Sequence, residues 1–176
     1  MNHSLPIHGS RPACFAGFTL IELLVVISII AILAGLAFPA VQGALGQGKK
    51  AQARNDVNQI AMAFKAFQLE YGRLPGTGTS DGAAPNDWVT TLTSTNTFNP
   101  RGIVFFEPKV AKGGKGGLDG TVYKDPWGGV YQVILDFNYD NKIAANNQTN
   151  FTAAVVQSGG PDTNLSSTND NISNIR

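Results

Sequence analysis

The chain has 176 residues and a formal net charge of +1, and only 14% of its side chains are charged, well below the roughly 25% usual in a soluble domain. So balanced a chain lacks the Lys/Arg excess that neutralising phosphate requires, which argues against nucleic acid as a partner. The single cysteine, Cys14, cannot close an internal disulfide, and His3 and His8 lie at the extreme N-terminus, so the common His- and Cys-based catalytic templates are missing from the rest of the chain.

Residues 1–17, MNHSLPIHGSRPACFAG, form a polar leader whose one full side-chain charge is Arg11. Residues 18–38, FTLIELLVVISIIAILAGLAF, are 21 residues with one charge, Glu22. A helix of that length reaches about 30 Å, the thickness of a bilayer's hydrocarbon core. Apolar on every side, it predicts a transmembrane helix rather than a buried core helix. The run is too long for a secretory h-region and no A-x-A site directly follows it, which excludes an ordinary signal peptide. Positive charge ahead of the run keeps that end cytoplasmic and places the C-terminal domain outside.

Pro39 follows, where proline removes one helical hydrogen bond and bends the axis. Beyond it the pattern turns amphipathic: Val57, Ile60, Phe64, Phe67 and Tyr71 share one helical face, with Lys49, Lys50, Arg54, Asp56, Lys65 and Glu70 assigned to the other. The reading is one long helix over about 18–71, membrane-spanning at 18–38 and amphipathic at 39–71. Gly35, Gly43, Gly46 and Gly48 weaken its middle. They serve either close helix packing or a segment that melts on assembly.

Gly72 to Gly76 end the helix. Residues 72–121 form the connecting region. It holds a short helix within Asn86–Thr95, capped by Asn86 or Asp87 and anchored by Trp88 and Leu92. It also holds a short apolar run, Ile103–Phe106, and a glycine-rich stretch at 113–117, read as a flexible exposed loop because the phosphate-binding GxxxxGK[ST] spacing is absent. Residues 122–176 supply an antiparallel sheet: a turn at Asp125–Gly129, a strand over 130–137, a tight connection at Asn138–Lys142, and a last strand over 151–157. Two or three strands over the amphipathic half-helix give an α+β fold.

Two segments are rich in oxygen ligands. Residues 158–174, SGGPDTNLSSTNDNISN, read either as a disordered tail or as a calcium loop, since carboxylate, amide and backbone oxygens suit a hard cation. Asp136-x-Asn138-x-Asp140 copies the opening of an EF-hand loop, but Asn141 stands where glycine belongs and Asn147 where the closing glutamate belongs. That segment therefore reads as a hairpin turn.

Gly17-Phe18-Thr19-Leu20-Ile21-Glu22 before a long apolar helix resembles the class III signal of type IV pilins and type II secretion pseudopilins. The resemblance implies cleavage after Gly17 by a prepilin peptidase and N-methylation of the new N-terminal Phe18. Cys14, Phe15 and Ala16 stand where many members carry Lys or Arg. A carboxylate in lipid costs about 2.5–3.5 kcal/mol and needs a partner. Given that processing, the Phe18 amine of a neighbouring subunit is the natural counter-charge, so Glu22 is read as the assembly residue. Loss of residues 1–17 removes Cys14, both histidines and Arg11, leaving no cysteine to close the C-terminal loop.

KDPWGGVY at 124–131 resembles the DPWG-x-x-Y turn of the major pseudopilin, and QLEYGRLPG at 68–76 resembles that family's helix-to-loop junction. There Trp127 and Tyr131 serve the core or turn. The same resemblance implies a calcium ion in the final loop: Ser158, Gly160 and Asp162 match one ligand segment, and Asp170 and Ile172 loosely match the other. The side chains of Asp162 and Asp170 are the expected ligands, with Ser158 and Asn164 as further donors and Ser173 a weaker one. The implied fold is pilin-like. The implied function is that of a structural subunit, not an enzyme, polymerising into a type II secretion pseudopilus that drives protein export across the outer membrane. It implies a homopolymer with minor pseudopilins and an inner-membrane assembly platform as partners, and membrane lipid around the helix. The inner membrane is the expected location, crossed once, with the C-terminal domain periplasmic. The alternative is a type IV pilin for adhesion, motility or DNA uptake.

Overall fold

A computed structural model describes residues 17–145, 148–150, 152–167 and 169–175. Residues 1–16 of the leader, Asn147 and Phe151 lie outside them. The chain divides into two units, Met1–Gly43 and Ala44–Arg176. Helix α1 (Leu20–Tyr71) runs through Pro39. Within the first unit every described residue is exposed, including all the large apolar side chains from Phe18 to Val41. Among the described residues α1 is the one helix long and apolar enough to cross a membrane.

In the second unit, α1 buries Ala53, Val57, Ile60, Ala63, Phe64 and Phe67, the face that the 3.6-residue period picks out. The helix stops at Gly72, whose φ of 67° is the left-handed value that glycine adopts freely. Its N–H donates to the Gln68 carbonyl at 2.8 Å, so the helix end is capped within the chain. Asp56 departs from the expected pattern. It is wholly buried, and its carboxylate accepts from Lys109 Nζ at 2.9 Å and Tyr131 Oη at 3.2 Å. Helical spacing alone does not report a partner arriving from a distant loop.

Strand β1 (Gly82–Ala83) and helix α2 (Trp88–Thr93) come next. Trp88 and Leu92 are buried as expected, but the Asp87 side chain makes no capping hydrogen bond. Buried Asn99 organises the following loop. Its Oδ1 accepts from Tyr71 Oη and Ile103 N–H, and its Nδ2 donates to the Thr91 and Ile103 carbonyls. Strands β2 (Gly117–Asp119) and β3 (Val122–Lys124) form a hairpin. The glycine-rich stretch is thus not a freely exposed loop: Gly117 is buried in β2, and a Cβ there would overlap the backbone of Lys109–Ala111.

Strand β4 (Gln132–Leu135) is followed by a ribbon of β5 (Ile143–Ala145) and β6 (Gln148–Asn150), then by β7 (Ala154–Ser158) and β8 (Ile172–Ser173). The main sheet is antiparallel in the order β1-β4-β7-β8. Its Val133, Leu135, Ala154, Val156 and Ile172 join the buried face of α1 in one core. Val155 faces the other way, onto Ile143 and Ala145 of the ribbon. This α+β, pilin-like architecture matches the expectation, with corrections. The sheet has four strands, β7 is not the last, and Asn138–Lys142 is a turn between strands that do not pair with each other.

Candidate functional site

The start of α1 carries the first candidate group. Glu22 Oε2 accepts from the Thr19 N–H at 3.0 Å and from Thr19 Oγ1 at 2.7 Å, while the Glu22 N–H donates to Thr19 Oγ1 at 3.3 Å. Thr19-x-x-Glu22 is a capping box, in which two otherwise unpaired N–H groups are satisfied reciprocally. Reading Glu22 only as an unpaired charge missed this, although the spacing alone could have revealed it. Phe18 is exposed beside it.

The second group centres on Asp125. This wholly buried residue directs Oδ1 at three successive N–H groups, of Trp127, Gly128 and Gly129, at 3.0, 2.8 and 2.8 Å. The local sequence explains the fit: a Cβ at Gly129 would press on the Asp125 carboxylate. Asp125 Oδ2 accepts from Ser158 Oγ at 2.7 Å, and Ser158 Oγ in turn accepts from the Gly160 N–H at 3.1 Å. The DPWG turn therefore ties the C-terminal loop to the sheet. Tyr131 is buried and Trp127 packs against the core, so both serve the fold as expected. Burial, then Asp56 and Asp125, push the Tyr131 phenol far upward, and burial beside Asp56 pushes Tyr123 up to about 12.

The four expected metal residues lie in or beside this loop. Ser158 is buried, with its hydroxyl committed as described. Asp162 and Asn164 are exposed, and their Oδ1 atoms accept from the N–H groups of Asn164 and Ser166. Asp170 packs on Gly160, where any Cβ would overlap the Asp170 backbone. Oδ1 of Asp170 and Oδ1 of Asn171 are closed off from solvent and have no hydrogen-bond partner among the described residues. Ser173 lies in β8. An all-oxygen set with orphaned buried acceptors fits a hard cation.

Sequence reasoning missed a third group. Asp81, Asp136 and Asp140 each offer a carboxylate oxygen, and the three oxygens lie within 4.8 Å of one another. The EF-hand comparison registered Asp136 and Asp140, but Asp81 comes from a distant segment that only the sheet register brings in. Burial, then Asp136 and Asp140, raise the Asp81 carboxyl above its ordinary range.

Residues 13–38 match the family described as the prokaryotic N-terminal methylation motif. A type II secretion system core protein G of Pseudomonas aeruginosa is 33% identical over 119 residues, 68% of this chain and 72% of the relative. The protein of the same name from Aeromonas hydrophila is 29% identical over 119 residues, again 68% of this chain and 72% of the relative. A fimbrial protein of Neisseria meningitidis is 40% identical over 73 residues, 42% of this chain and 43% of the relative. No solved structure matches the chain.

Proposed function

Because the chain belongs to the family of the type II secretion system core protein G, we propose that it polymerises through residues 18–38 into a periplasmic pseudopilus that drives protein export across the outer membrane. The observation that carries this reading is the reach of the similarity. The match to core protein G runs over 119 residues, far beyond the N-terminal motif, whereas the fimbrial match covers 73. A type IV pilin therefore fits less well. The chain works as a structural subunit, not a catalyst, and its partners are further copies of itself, minor pseudopilins and an inner-membrane assembly platform.

In this reading a prepilin peptidase cleaves after Gly17 and Phe18 is N-methylated. The protein then crosses the inner membrane once with its C-terminal domain in the periplasm. The open apolar surface from Phe18 to Val41 supports it, since lipid or neighbouring copies must cover that surface. Glu22 exchanges its contacts with Thr19 for the Phe18 amine of a neighbour, fixing the axial stagger between subunits. A calcium ion closes the C-terminal loop, held by Asp162 and Asp170 with Ser158 and Asn164 contributing. The orphaned Asp170 Oδ1 supports this assignment, and the Ser158 hydroxyl's commitment to Asp125 leaves that residue to contribute through its backbone.

Co-expression with a prepilin peptidase tests the premise. Intact mass is expected to show loss of Met1–Gly17 and gain of one methyl group. A chain that keeps its leader in the presence of the active peptidase would refute the reading.

A further inference from the structure

The sheet register places Asp81 and Asp136 opposite each other. Gly82 pairs with Leu135 in the antiparallel β1–β4 ladder, so the next position outward sets these two carboxylates face to face. Like charges directly opposed across a ladder destabilise it. The turn after β4 then adds a third. Tyr139 and Asn141 both take left-handed φ values of 58°, and the Asn141 N–H donates to Asp136 Oδ2 at 2.7 Å, which folds Asp140 back toward the pair.

The groups around this cluster do not neutralise it. Asp136 is 1% exposed, and its Oδ1 is closed off from solvent with no hydrogen-bond partner among the described residues. Asp81 Oδ1 is in the same condition. Among the described residues none of the three carboxylates forms an ion pair with a lysine or arginine, since the ion pairs present engage Glu70, Asp56 and Asp119. Unpartnered buried carboxylate oxygens, in a group of three carboxylates that each bring an oxygen within 4.8 Å of the others, suit a cation.

We propose that Asp81, Asp136 and Asp140 hold a calcium ion, at a site separate from the C-terminal loop. All three donors are hard oxygens, and their spacing falls within the span of oxygens around calcium, which lie about 2.3–2.6 Å from the ion. Calcium also accepts the irregular geometry of a strand pair and a turn, with water completing its 6–8 ligands, where magnesium demands a near-ideal octahedron. The ion fastens the short edge strand β1 to β4 and stiffens the turn. Because Tyr139 Oη accepts from the Leu74 N–H at 2.9 Å, that stiffness extends to the exit of α1.

The test is calcium binding by the full chain in detergent micelles, measured by equilibrium dialysis. Asp140 is exposed, and Asp140→Asn keeps an oxygen for the Lys142 N–H that Asp140 accepts, so this variant is expected to fold. It is expected to bind one calcium fewer than wild type at up to about 1 mM, the range of extracellular calcium modules, with affinity at this site down about tenfold or more. Asp81→Asn is expected to do the same. An unchanged count and affinity in both variants, with circular dichroism showing them folded, would overturn the proposal. Asp162→Asn with Asp170→Asn tests the C-terminal loop independently. A count that falls there but not in Asp140→Asn supports the loop and rejects this site, and the opposite result does the reverse.

Discussion

From Leu20 to Val41 every large apolar side chain of α1 lies open, whereas further along the same helix Val57, Ile60, Phe64 and Phe67 are wholly buried. The polar groups divide in the same way. Glu22 satisfies itself locally against Thr19, while Asp56, Asn99 and Asp125 each collect hydrogen bonds from segments distant in sequence. The contrast separates two kinds of stability. On the proposed function the first segment draws its stability from lipid and neighbouring copies, so changes there act on assembly. The second unit draws it from its own interior, so changes there act on folding.

The largest effect tests the first half of that statement. Glu22→Ala removes the carboxylate available to a neighbour's amine and also opens the capping box. Filaments are expected to be lost or sharply reduced, while near-ultraviolet circular dichroism of the globular unit stays as in wild type. Electron microscopy of sheared material provides the check. Normal filaments would reject the assembly role, and a changed dichroism spectrum would break the separation between the two regions.

Asp125→Ala tests the second half. It strips the partner from the N–H groups of Trp127 and Gly129 and from the buried Ser158 hydroxyl, while the Gly128 N–H keeps the Asp125 carbonyl at 3.0 Å. The expected loss is about 3–4 kcal/mol of stability, since a hydrogen bond to a charged group contributes about 1.5–3 kcal/mol and stranded donors add to the cost. Asp125→Asn keeps an acceptor oxygen and is expected to lose about half as much. Urea unfolding followed by tryptophan fluorescence reads both. A loss below about 0.5 kcal/mol for Asp125→Ala would place it among ordinary surface changes and end its role as the tie between turn and loop.

How much could be read in advance follows the same division. The apolar run, Glu22 and the amphipathic face of α1 were legible because hydropathy and a 3.6-residue period are local signals. The DPWG turn was legible as a resemblance, but not the second task of its aspartate, the bond from Ser158 in β7, which joins segments distant in sequence. Asp56 was assigned to the polar side by its charge, although at 3.6 residues per turn it lies between Ala63 and Phe67 on the buried face; what the wheel does not supply is the partners, Lys109 and Tyr131, that satisfy a carboxylate there. Strands β1 and β8 are two residues long and carry no periodicity. With β1 unseen, the Asp81–Asp136 juxtaposition was out of reach, because it exists only through the register of that pairing.

The smallest effect lies where the two regions meet. A Cβ at Gly43, Gly46 or Gly48 would meet nothing within 4 Å, so packing inside the chain does not require these glycines. Alanine at each is expected to firm the helix by up to about 1 kcal/mol, read as slower amide hydrogen exchange across the neighbouring turns. The two roles open to these glycines then diverge in filament assembly. If the segment melts when subunits join, the three single substitutions weaken assembly alike, because each firms the same stretch of backbone. If the glycines let helices approach closely, position matters. At 3.6 residues per turn Gly43 and Gly46 lie about 60° apart on the helix, while Gly48 is about 140° from Gly43. Close packing therefore predicts that Gly43→Ala and Gly46→Ala act together and Gly48→Ala differs from both. Slower exchange with assembly unchanged in all three would reject both roles and leave the glycines with a purely local effect on the helix.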